Sequence, residues 1–353
     1  MNNKFAVEFN NVTKAFGDVK AIRNLDFAIE SGKLVTLLGP SGCGKTTTLR
    51  LIAGLEMVTD GNVYIGGKDV TTLPATDRDV SMVFQSYALF PHMTVLQNVS
   101  YGLTMSKMSK AEVSEKAHEG LSLVGLTGYG GRLPSELSGG QQQRVAVARA
   151  LVLEPEVLLF DEPLSNLDAK LRRRVREEIR ELQQKLGLTT VYVTHDQEEA
   201  LAVSDRIIVM NEAVIAQEGT PHQLYEEPAN LFVSDFIGDA NLVKAEIINI
   251  EGDEAEVDLG GIKLKLPHRG IHSGEVDVAI RPQAIMLNPV VNKDEISATI
   301  LKTSYLGDHI EYTLESALGE LFVIDNQMEK QYDSGTEVSL TFRKRGLSLI
   351  PES

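Results

Sequence analysis

The strongest constraint on the fold of this chain is the stretch at 39–47, which reads G-P-S-G-C-G-K-T-T. It matches the pattern G-x-x-x-x-G-K-[ST] of a phosphate-binding loop. The apolar run at 33–38 before it is typical of a buried parallel strand, and the run at 46–53 after it predicts a helix that ends at Gly54. A strand, a glycine-rich turn and a helix in this order indicate the α/β class.

The loop and the start of the following helix predict a binding site for an anion. Unpaired N–H groups converge there, and the helix dipole favours negative charge. The pattern predicts that Lys45 reaches the β- and γ-phosphates of a nucleotide and that the hydroxyl of Thr46 binds Mg²⁺. The residues predicted to bind the nucleotide at this loop are Gly39, Pro40, Ser41, Gly42, Cys43, Gly44, Lys45, Thr46 and Thr47.

Composition narrows the class of protein. A length of 353 residues favours two domains, and 42% hydrophobic with 24% charged residues is ordinary for a soluble globular protein. No apolar run is long enough to span a bilayer, and residues 1–4 do not read as the start of a signal peptide. The single cysteine, Cys43, excludes an internal disulfide framework and fits a reducing cytoplasm. The net charge of −16 argues against a nucleic-acid partner and against direct adhesion to anionic lipid, so a role at a membrane requires a protein partner.

Three other predicted strands end in polar side chains. They are 80–84 before Gln85, 157–160 before Asp161 and Glu162, and 189–194 before His195. In open α/β sheets ligands bind at the carboxyl edge of the strands, so these side chains are expected beside the phosphate loop. Alternation along the strand places Asp161 and Glu162 on opposite sides, one towards Mg²⁺ and the other towards a water that attacks the γ-phosphate. Gln85 is either a group that faces the metal and this water or an ordinary polar residue at a strand end.

A second anion site is indicated at the predicted start of another helix. Ser138 is a plausible N-cap, and Gly139 and Gly140 leave the backbone uncovered there. Physical chemistry alone does not require this site and the phosphate loop to bind the same nucleotide.

Two further features, the helix at 169–186 and Phe16, each have two possible interpretations. The predicted helix at 169–186, capped by Asp168, interleaves arginines with glutamates, which favours a salt-bridged, solvated face over a nucleic-acid patch. Phe16 lies in a predicted hairpin turn at 12–18 and is either a core residue or a platform on which an adenine ring stacks.

The character of the chain changes along its length. Polar helical sequence around 95–136 predicts a helical subdomain inserted at about 88–150. The strand at 206–210 closes the predicted sheet, and a helical stretch runs from there to about 238. Beyond it, short alternating segments separated by turns indicate a small all-β barrel or sandwich. The predicted domains are therefore 1–238 and 239–353.

Together these motifs resemble those of the ATP-binding subunit of ABC transporters, and the resemblance covers the whole chain. The matching segments are the Walker A loop at 39–46, the Q-loop at Gln85, the LSGGQ signature at 137–144, the Walker B strand at 158–162, the D-loop at 165–168 and the switch histidine His195. The family resemblance implies a head-to-tail dimer in which each ATP lies between Walker A of one copy and the signature of the other. Ser138, Gly140 and Gln141 would then contact the partner's nucleotide.

The resemblance also implies individual roles in ATP hydrolysis. Glu162 would polarise the attacking water, and His195 would orient it. Lys45 and Mg²⁺ would stabilise charge on the phosphoryl group, with the metal held by Thr46, Gln85 and Asp161. Phe16 matches the adenine-stacking position, where Tyr or Trp is usual, and Asp168 of the D-loop belongs to the implied nucleotide-binding set.

The C-terminal region is similar to the OB-like accessory barrel of importer ATPases for ferric iron, polyamines, phosphonates and maltose. The segments at 280–285 and 304–308 carry this likeness. It implies a peripheral position on the cytoplasmic face of the cell membrane, a permease that contacts the Gln85 loop and the helical subdomain, and a solute-binding protein that acts indirectly.

The transported substrate is chosen by the permease and the solute-binding protein, so the sequence of this chain does not determine it. Likeness around 35–56 and 85–103 favours ferric iron, with polyamine, aminoalkylphosphonate, sugar or sugar-phosphate import as alternatives. A soluble ABC-type ATPase that acts on nucleic acid or the ribosome is disfavoured by the acidic charge, by the single nucleotide domain and by the C-terminal barrel. A C-terminal module that restrains the ATPase is compatible with the importer.

Overall fold

The computed structural model describes residues 4–105, 108–289, 295–328 and 330–351. These form two compact units, one up to Pro221 and the other from His222. No helix in the described ranges is long and apolar enough to cross a membrane.

The first unit contains two sheets and a set of helices. Its strands are β1 (Phe5–Phe16), β2 (Val19–Glu30), β3 (Leu34–Leu38), β4 (Asp60–Ile65), β5 (Lys68–Asp69), β6 (Val80–Val83), β7 (Val157–Asp161), β8 (Thr189–Thr194), β9 (Arg206–Asn211) and β10 (Val214–Gly219). Its helices are α1 (Lys45–Ala53), α2 (Val95–Thr104), α3 (Lys110–Leu123), α4 (Gly139–Leu151), α5 (Ala169–Leu186) and α6 (Gln197–Val203).

One sheet is antiparallel, in the order β2-β1-β4-β5, and the other has the order β10-β9-β3-β8-β7-β6. In the second sheet β9, β3, β8, β7 and β6 are parallel, and β10 is antiparallel to β9. β3 and β8 are buried along their whole length, as expected for parallel strands covered on both faces. The predicted α/β class is confirmed.

The two faces of the parallel sheet belong to two different cores. Val157 and Leu159 of β7 pack in a core shared with α1 and the antiparallel sheet. Leu158 and Phe160 of the same strand pack in a core shared with α2, α3, α4 and α5. Because side chains alternate along a strand, one short apolar run joins both layers. Each of α2, α3 and α4 starts with a capping box, which fixes where the helix begins.

The parallel strands end at one edge of their sheet. Leu38 of β3 pairs with Thr194 of β8, and Asp161 of β7 pairs with Val193 of β8. The phosphate loop and the polar residues that follow β6, β7 and β8 therefore start from one edge, as the strand pattern predicts.

Two local predictions were wrong. The hairpin turn predicted at 12–18 is much shorter, because β1 and β2 extend to Phe16 and from Val19. The predicted helical stretch after 210 begins instead with β10, which pairs with β9. The turn between them places Glu212 and Ala213 at φ 45° and 70°, a left-handed conformation usually signalled by Asn-Gly or Asp-Gly. Glu-Ala carries no such signal.

The second unit contains two short helices followed by strands, and its part beyond 238 is all-β, as predicted. Its helices are α7 (Pro221–Glu226) and α8 (Leu231–Phe236), and its strands are β11 (Asn241–Glu251), β12 (Glu254–Leu259), β13 (Ile262–Pro267), β14 (Gly274–Ile280), β15 (Ile285–Asn288), β16 (Ile296–Tyr305), β17 (Ile310–Ser316), β18 (Gly319–Asp325), β19 (Glu337–Phe342) and β20 (Leu347–Ile350). They form two five-stranded antiparallel sheets, β13-β12-β11-β14-β20 and β15-β19-β16-β17-β18, around one core.

The boundary between the units lies at the start of α7, between Pro221 and His222, whereas the sequence predicts it after 238. The buried side chain of Arg281 accounts for the difference. Its guanidinium donates hydrogen bonds to the carbonyl oxygens of Tyr225, Ser234 and Ile237, and it stacks over the Tyr225 ring with 4.3 Å to the centroid. These bonds hold α7 and α8 against the β unit.

Candidate functional site

The phosphate loop requires glycine at two positions because other backbone approaches it closely. A Cβ atom at Gly39 would lie 2.2 Å from the carbonyl oxygen of Met210, and one at Gly44 would lie 2.7 Å from that of Ala21. Gly44 also has a φ of 108°, in the left-handed region that favours glycine. The loop then enters α1 at Lys45, so the predicted strand, turn and helix are all present.

The side chain of Lys45 is buried and folds back over the loop. Its ammonium group donates hydrogen bonds to the carbonyl oxygens of Gly39 at 2.7 Å and Pro40 at 2.9 Å. The positive charge of Lys45 therefore lies at the loop that the sequence predicts to bind phosphate.

Thr46 and Asp161 form a contact between the phosphate loop and the end of β7. The Thr46 hydroxyl donates to Asp161 Oδ1 at 3.5 Å. Burial raises the pKa of Asp161 above its ordinary value, and the nearby Glu162 adds to the rise, while Arg50 and the Thr46 hydrogen bond oppose it. A half-buried carboxylate in this environment gains from a cation beside it.

Glu162 and His195 meet at the same edge. Glu162 Oε2 lies 3.2 Å from His195 Nδ1, and the backbone N–H of Glu162 donates to the Val193 carbonyl at 3.0 Å. Glu162 has a φ of 44°, so it has left the strand conformation of β7. The alternation used to place Asp161 and Glu162 on opposite sides therefore does not extend beyond Asp161, and the carboxylate of Glu162 is directed by this turn to the end of β8.

Gln85 is joined to the segment that follows Glu162. Its side-chain amide donates to Ser165 Oγ at 3.1 Å, and its carbonyl oxygen accepts a 2.9 Å hydrogen bond from the side chain of Asn166. Ser165 Oγ in turn donates to the Glu162 carbonyl at 3.0 Å. Sequence reasoning missed these contacts of Ser165 and Asn166. The available signals were their position directly after an acidic strand end and their match to the D-loop at 165–168.

A buried carboxylate, Glu199, supports the end of β8 and was also missed. It accepts hydrogen bonds from the hydroxyls of Tyr192 at 3.1 Å and Thr194 at 2.9 Å. Burial is the main cause that raises the pKa of Glu199. This network fixes the strand that carries His195.

The second predicted anion site lies at the start of α4. Ser138 Oγ accepts from the Gln141 amide at 3.4 Å, and the Gln141 side chain accepts from the Ser138 amide at 2.9 Å. A Cβ atom at Gly140 would lie 3.1 Å from the Leu171 side chain, so the glycine also permits close packing on α5. Within the ranges that the structure describes, no hydrogen bond joins Ser138, Gly140 or Gln141 to the phosphate loop.

Two residues named from the sequence lie at the ends of their elements. Phe16 ends β1 and is 49% exposed, with the Lys14 ammonium 4.6 Å from its ring centroid, so the alternative of a core residue is wrong. Asp168 caps α5 by accepting from the Leu171 amide at 2.9 Å.

The face of α5 carries an Arg174–Glu178 ion pair at 3.1 Å, in agreement with the predicted salt-bridged surface.

The donor set at the strand ends suits Mg²⁺. A hydroxyl from Thr46, a carboxylate from Asp161 and an amide oxygen from Gln85 are hard oxygen ligands, and Mg²⁺ usually takes only one or two protein carboxylates together with substrate phosphates. In the described part of the chain, no group of three or more His, Cys, Asp or Glu side chains is arranged to hold a metal ion. The chemistry of the site therefore fits a metal that binds together with nucleotide phosphates.

Comparison with known proteins is consistent with this geometry. Residues 22–165 match the ABC transporter family, and residues 278–350 match the TOBE domain. The chain is 61% identical over 345 residues to the Fe(3+) ions import ATP-binding protein FbpC of Brucella abortus, covering 98% of each chain. It is 47% identical over 355 residues to the protein of the same name from Vibrio cholerae, covering 99% of each.

Solved structures agree for the first unit. A dimeric post-hydrolysis state of the ATP-binding cassette MJ0796, bound to ADP and Pi, is 35% identical with a TM-score of 0.54 and covers 61% of this chain and 98% of that chain. CbiO1 from Clostridium perfringens, part of the transporter complex CbiONQ, is 26% identical with a TM-score of 0.60 and covers 64% and 92%. The chain therefore belongs to the family of ATP-binding subunits of ABC transporters, as an importer ATPase with a C-terminal TOBE domain.

Proposed function

We propose that this chain is the ATP-hydrolysing subunit of a ferric-iron importer. The observation that carries the proposal is 61% identity to an iron-import ATP-binding protein over 98% of both chains. The identity spans both units and not only the nucleotide motifs.

Three side chains act directly in the proposed reaction, and three more would hold the metal. Glu162 polarises a water for in-line attack on the γ-phosphate of ATP, and His195, 3.2 Å from it, orients that water. Lys45 stabilises the charge that develops on the phosphoryl group. Catalysis of this kind consists of positioning and electrostatics, for which one preorganised group contributes on the order of a hundredfold or more. When bound, Mg²⁺ neutralises phosphate charge; Thr46, Asp161 and Gln85 would hold it.

The nucleotide is proposed to lie between two copies of the chain. Phe16 would stack on the adenine, the loop at 39–47 would bind the phosphates, and Ser138, Gly140 and Gln141 of a second copy would close the site. Two observations support this arrangement. The start of α4 makes no hydrogen bond to the phosphate loop of its own chain in the described ranges, and the MJ0796 relative was solved as a dimer.

The permease is proposed to contact the Gln85 loop and the helical subdomain at about 88–150. Apolar side chains on α2 and just beyond it are exposed, among them Tyr101 and Met105, which is 72% exposed. The ring of Phe90 lies 4.7 Å from that of Tyr101, so an aromatic surface continues from the Gln85 loop onto α2. Docking there places the chain on the cytoplasmic face of the membrane, with the solute-binding protein acting through the permease and without a nucleic-acid partner.

Transport of radiolabelled Fe(III) by cells tests the substrate. Cells that lack this chain should lose high-affinity Fe(III) uptake, and the intact chain should restore it. The Glu162→Gln variant, which retains the phosphate loop, should not restore uptake. Unchanged Fe(III) uptake together with lost putrescine or aminoethylphosphonate uptake would overturn the iron assignment while leaving the importer ATPase in place.

A further inference from the structure

The loop after Gln85 contains two consecutive strained residues. Tyr87 and Ala88 have φ values of 62° and 48°, although neither is glycine. A left-handed conformation is strained for residues other than glycine and persists only where surrounding contacts enforce it. The side chain of Tyr87 is buried, and its amide donates to the Phe84 carbonyl at 2.8 Å.

Arg149, in the last turn of α4, supplies the enforcing contacts. Nη1 donates to the carbonyl oxygen of Ala88 at 2.7 Å, and Nη2 donates to that of Tyr87 at 2.8 Å. The guanidinium also lies over Phe90, with 5.9 Å to the ring centroid. One planar fork thus holds two successive carbonyls in a fixed relation, which a flexible ammonium group does less well.

The same loop is fixed at its other end by the segment after Glu162. The carbonyl and the side chain of Gln85 bind Asn166 and Ser165, as described above. The loop that contains Gln85 is therefore held on one side by Ser165 and Asn166 and on the other by Arg149 of α4. α4 is one uninterrupted helix that starts directly after Ser138. Arg149 therefore lies about 15 Å along the helix axis from the residues predicted to contact the partner's nucleotide.

We propose that Arg149 is a positioning residue that holds Gln85 in its working place by clamping the strained turn at 87–88, and that it ties this loop to the helix that begins with the signature. A displacement of α4 is then transmitted directly to Gln85. The proposal deepens the proposed function, because it rests on the role of Gln85 in the nucleotide site.

Amide hydrogen exchange of the full chain without nucleotide tests the clamp. Arg149→Met keeps most of the side-chain volume and removes both hydrogen bonds, so amides at 85–90 should exchange about tenfold faster or more, since local opening becomes easier. Arg149→Lys should restore part of the protection. Arg132→Met is the matched control, because the Arg132 guanidinium lies in the same subdomain over the Tyr129 ring, 4.2 Å from its centroid. Unchanged exchange at 85–90, or an equal rise throughout α2, α3 and α4, would overturn the proposal.

A double-mutant cycle tests whether Arg149 acts through Gln85. Arg149→Met alone should lower kcat about tenfold and raise the Mg²⁺ concentration for half-maximal ATP hydrolysis, with the KM for ATP little changed. In a Gln85→Ala background the same substitution should have no further effect on either quantity. Additive losses would overturn the proposal. A native chain that does not hydrolyse ATP would remove the proposed function, whereas an active native chain with an indifferent Arg149→Met variant would remove only this inference.

Discussion

The carboxyl edge of the parallel sheet and the start of α4 are both anion sites by sequence, but the chain completes them differently. At the sheet edge, side chains from separate segments contact one another: Thr46 binds Asp161, and Glu162 lies beside His195. At the start of α4, Ser138 and Gln141 bind each other in a capping box. The sheet edge is thus a cluster of side chains from separate segments. The start of α4 is a capping box formed by residues close in sequence.

This difference indicates which groups of the nucleotide site a single copy of the chain can bring together. Hydrolysis needs several groups in fixed mutual geometry, and the fold provides it by ending neighbouring parallel strands at one edge. Recognition of an anion at a helix start needs only the cap and the dipole, which are local. The signature can therefore be built on one copy and used by another.

The largest expected effect concerns the sheet edge. Glu162→Gln removes the carboxylate that we propose polarises the attacking water and leaves the phosphate loop intact, so ATP turnover should fall by roughly two orders of magnitude or more while ATP still binds. Because hydrolysis no longer reopens the site, ATP should drive a stable dimer, measured by size-exclusion chromatography with light scattering. Normal turnover with weak ATP-dependent dimerisation would contradict the role given to Glu162.

A smaller effect is expected at the start of α4. Ser138→Ala and Ser109→Ala each remove the N-cap of a capping box in the helical subdomain, and each should lower the free energy of unfolding by about 1 kcal/mol. Only Ser138→Ala should also lower ATP turnover, by about tenfold, since a hydrogen bond to a charged group is worth about 1.5–3 kcal/mol. Equal activity of the two variants would place the signature outside the nucleotide site.

The smallest effect is a change in the pH dependence of stability. Burial raises the folded-state pKa of Asp161, so its contribution to stability is present below the unfolded pKa and is lost as pH rises through the folded pKa. Asp161→Asn should therefore stabilise the nucleotide-free chain at pH 7, with a gain that shrinks as pH falls towards 4. Urea unfolding at several pH values measures it.

Asp69 provides the control of opposite sign. Hydrogen bonds from Thr71 lower the pKa of Asp69, so Asp69→Asn should destabilise at pH 7, with a loss that fades as pH falls. A gain for Asp161→Asn that is the same at every pH would show that ionisation of Asp161 is not its cause.

Much of this arrangement could be predicted because the responsible signals are local. The G-x-x-x-x-G-K-T pattern, the apolar runs before Asp161 and His195, and the caps Ser138 and Asp168 each state their structure within a few residues. The class, the sheet edge and these helix starts follow from them. The predicted nucleotide contacts of these residues stay predictions.

The features that could not be predicted depend on distant parts of the chain. Glu199 is a buried acid that accepts hydrogen bonds from Tyr192 and Thr194 at the end of β8, and Arg172 of α5 lies 3.8 Å from its carboxylate. The strained turn at 87–88 contains no glycine and is enforced by Arg149, far along the sequence. β10 follows a turn formed by Glu212 and Ala213, which are not typical turn residues. α7 and α8 join the second unit through hydrogen bonds from Arg281. Arg149 and Arg281 supply tertiary contacts that override local preference.

The central claim, that each nucleotide site is shared between two copies, is tested most directly with heterodimers of defined composition. Lys45→Ala disables the phosphate loop, and Ser138→Arg disables the exposed start of α4. Two tags allow the purification of one dimer with the substitutions on opposite chains and another with both on one chain beside a native chain. A shared site predicts ATP turnover in the first dimer and none in the second. Turnover in the second dimer, with none in the first, would show that one chain completes its own site and would contradict the account.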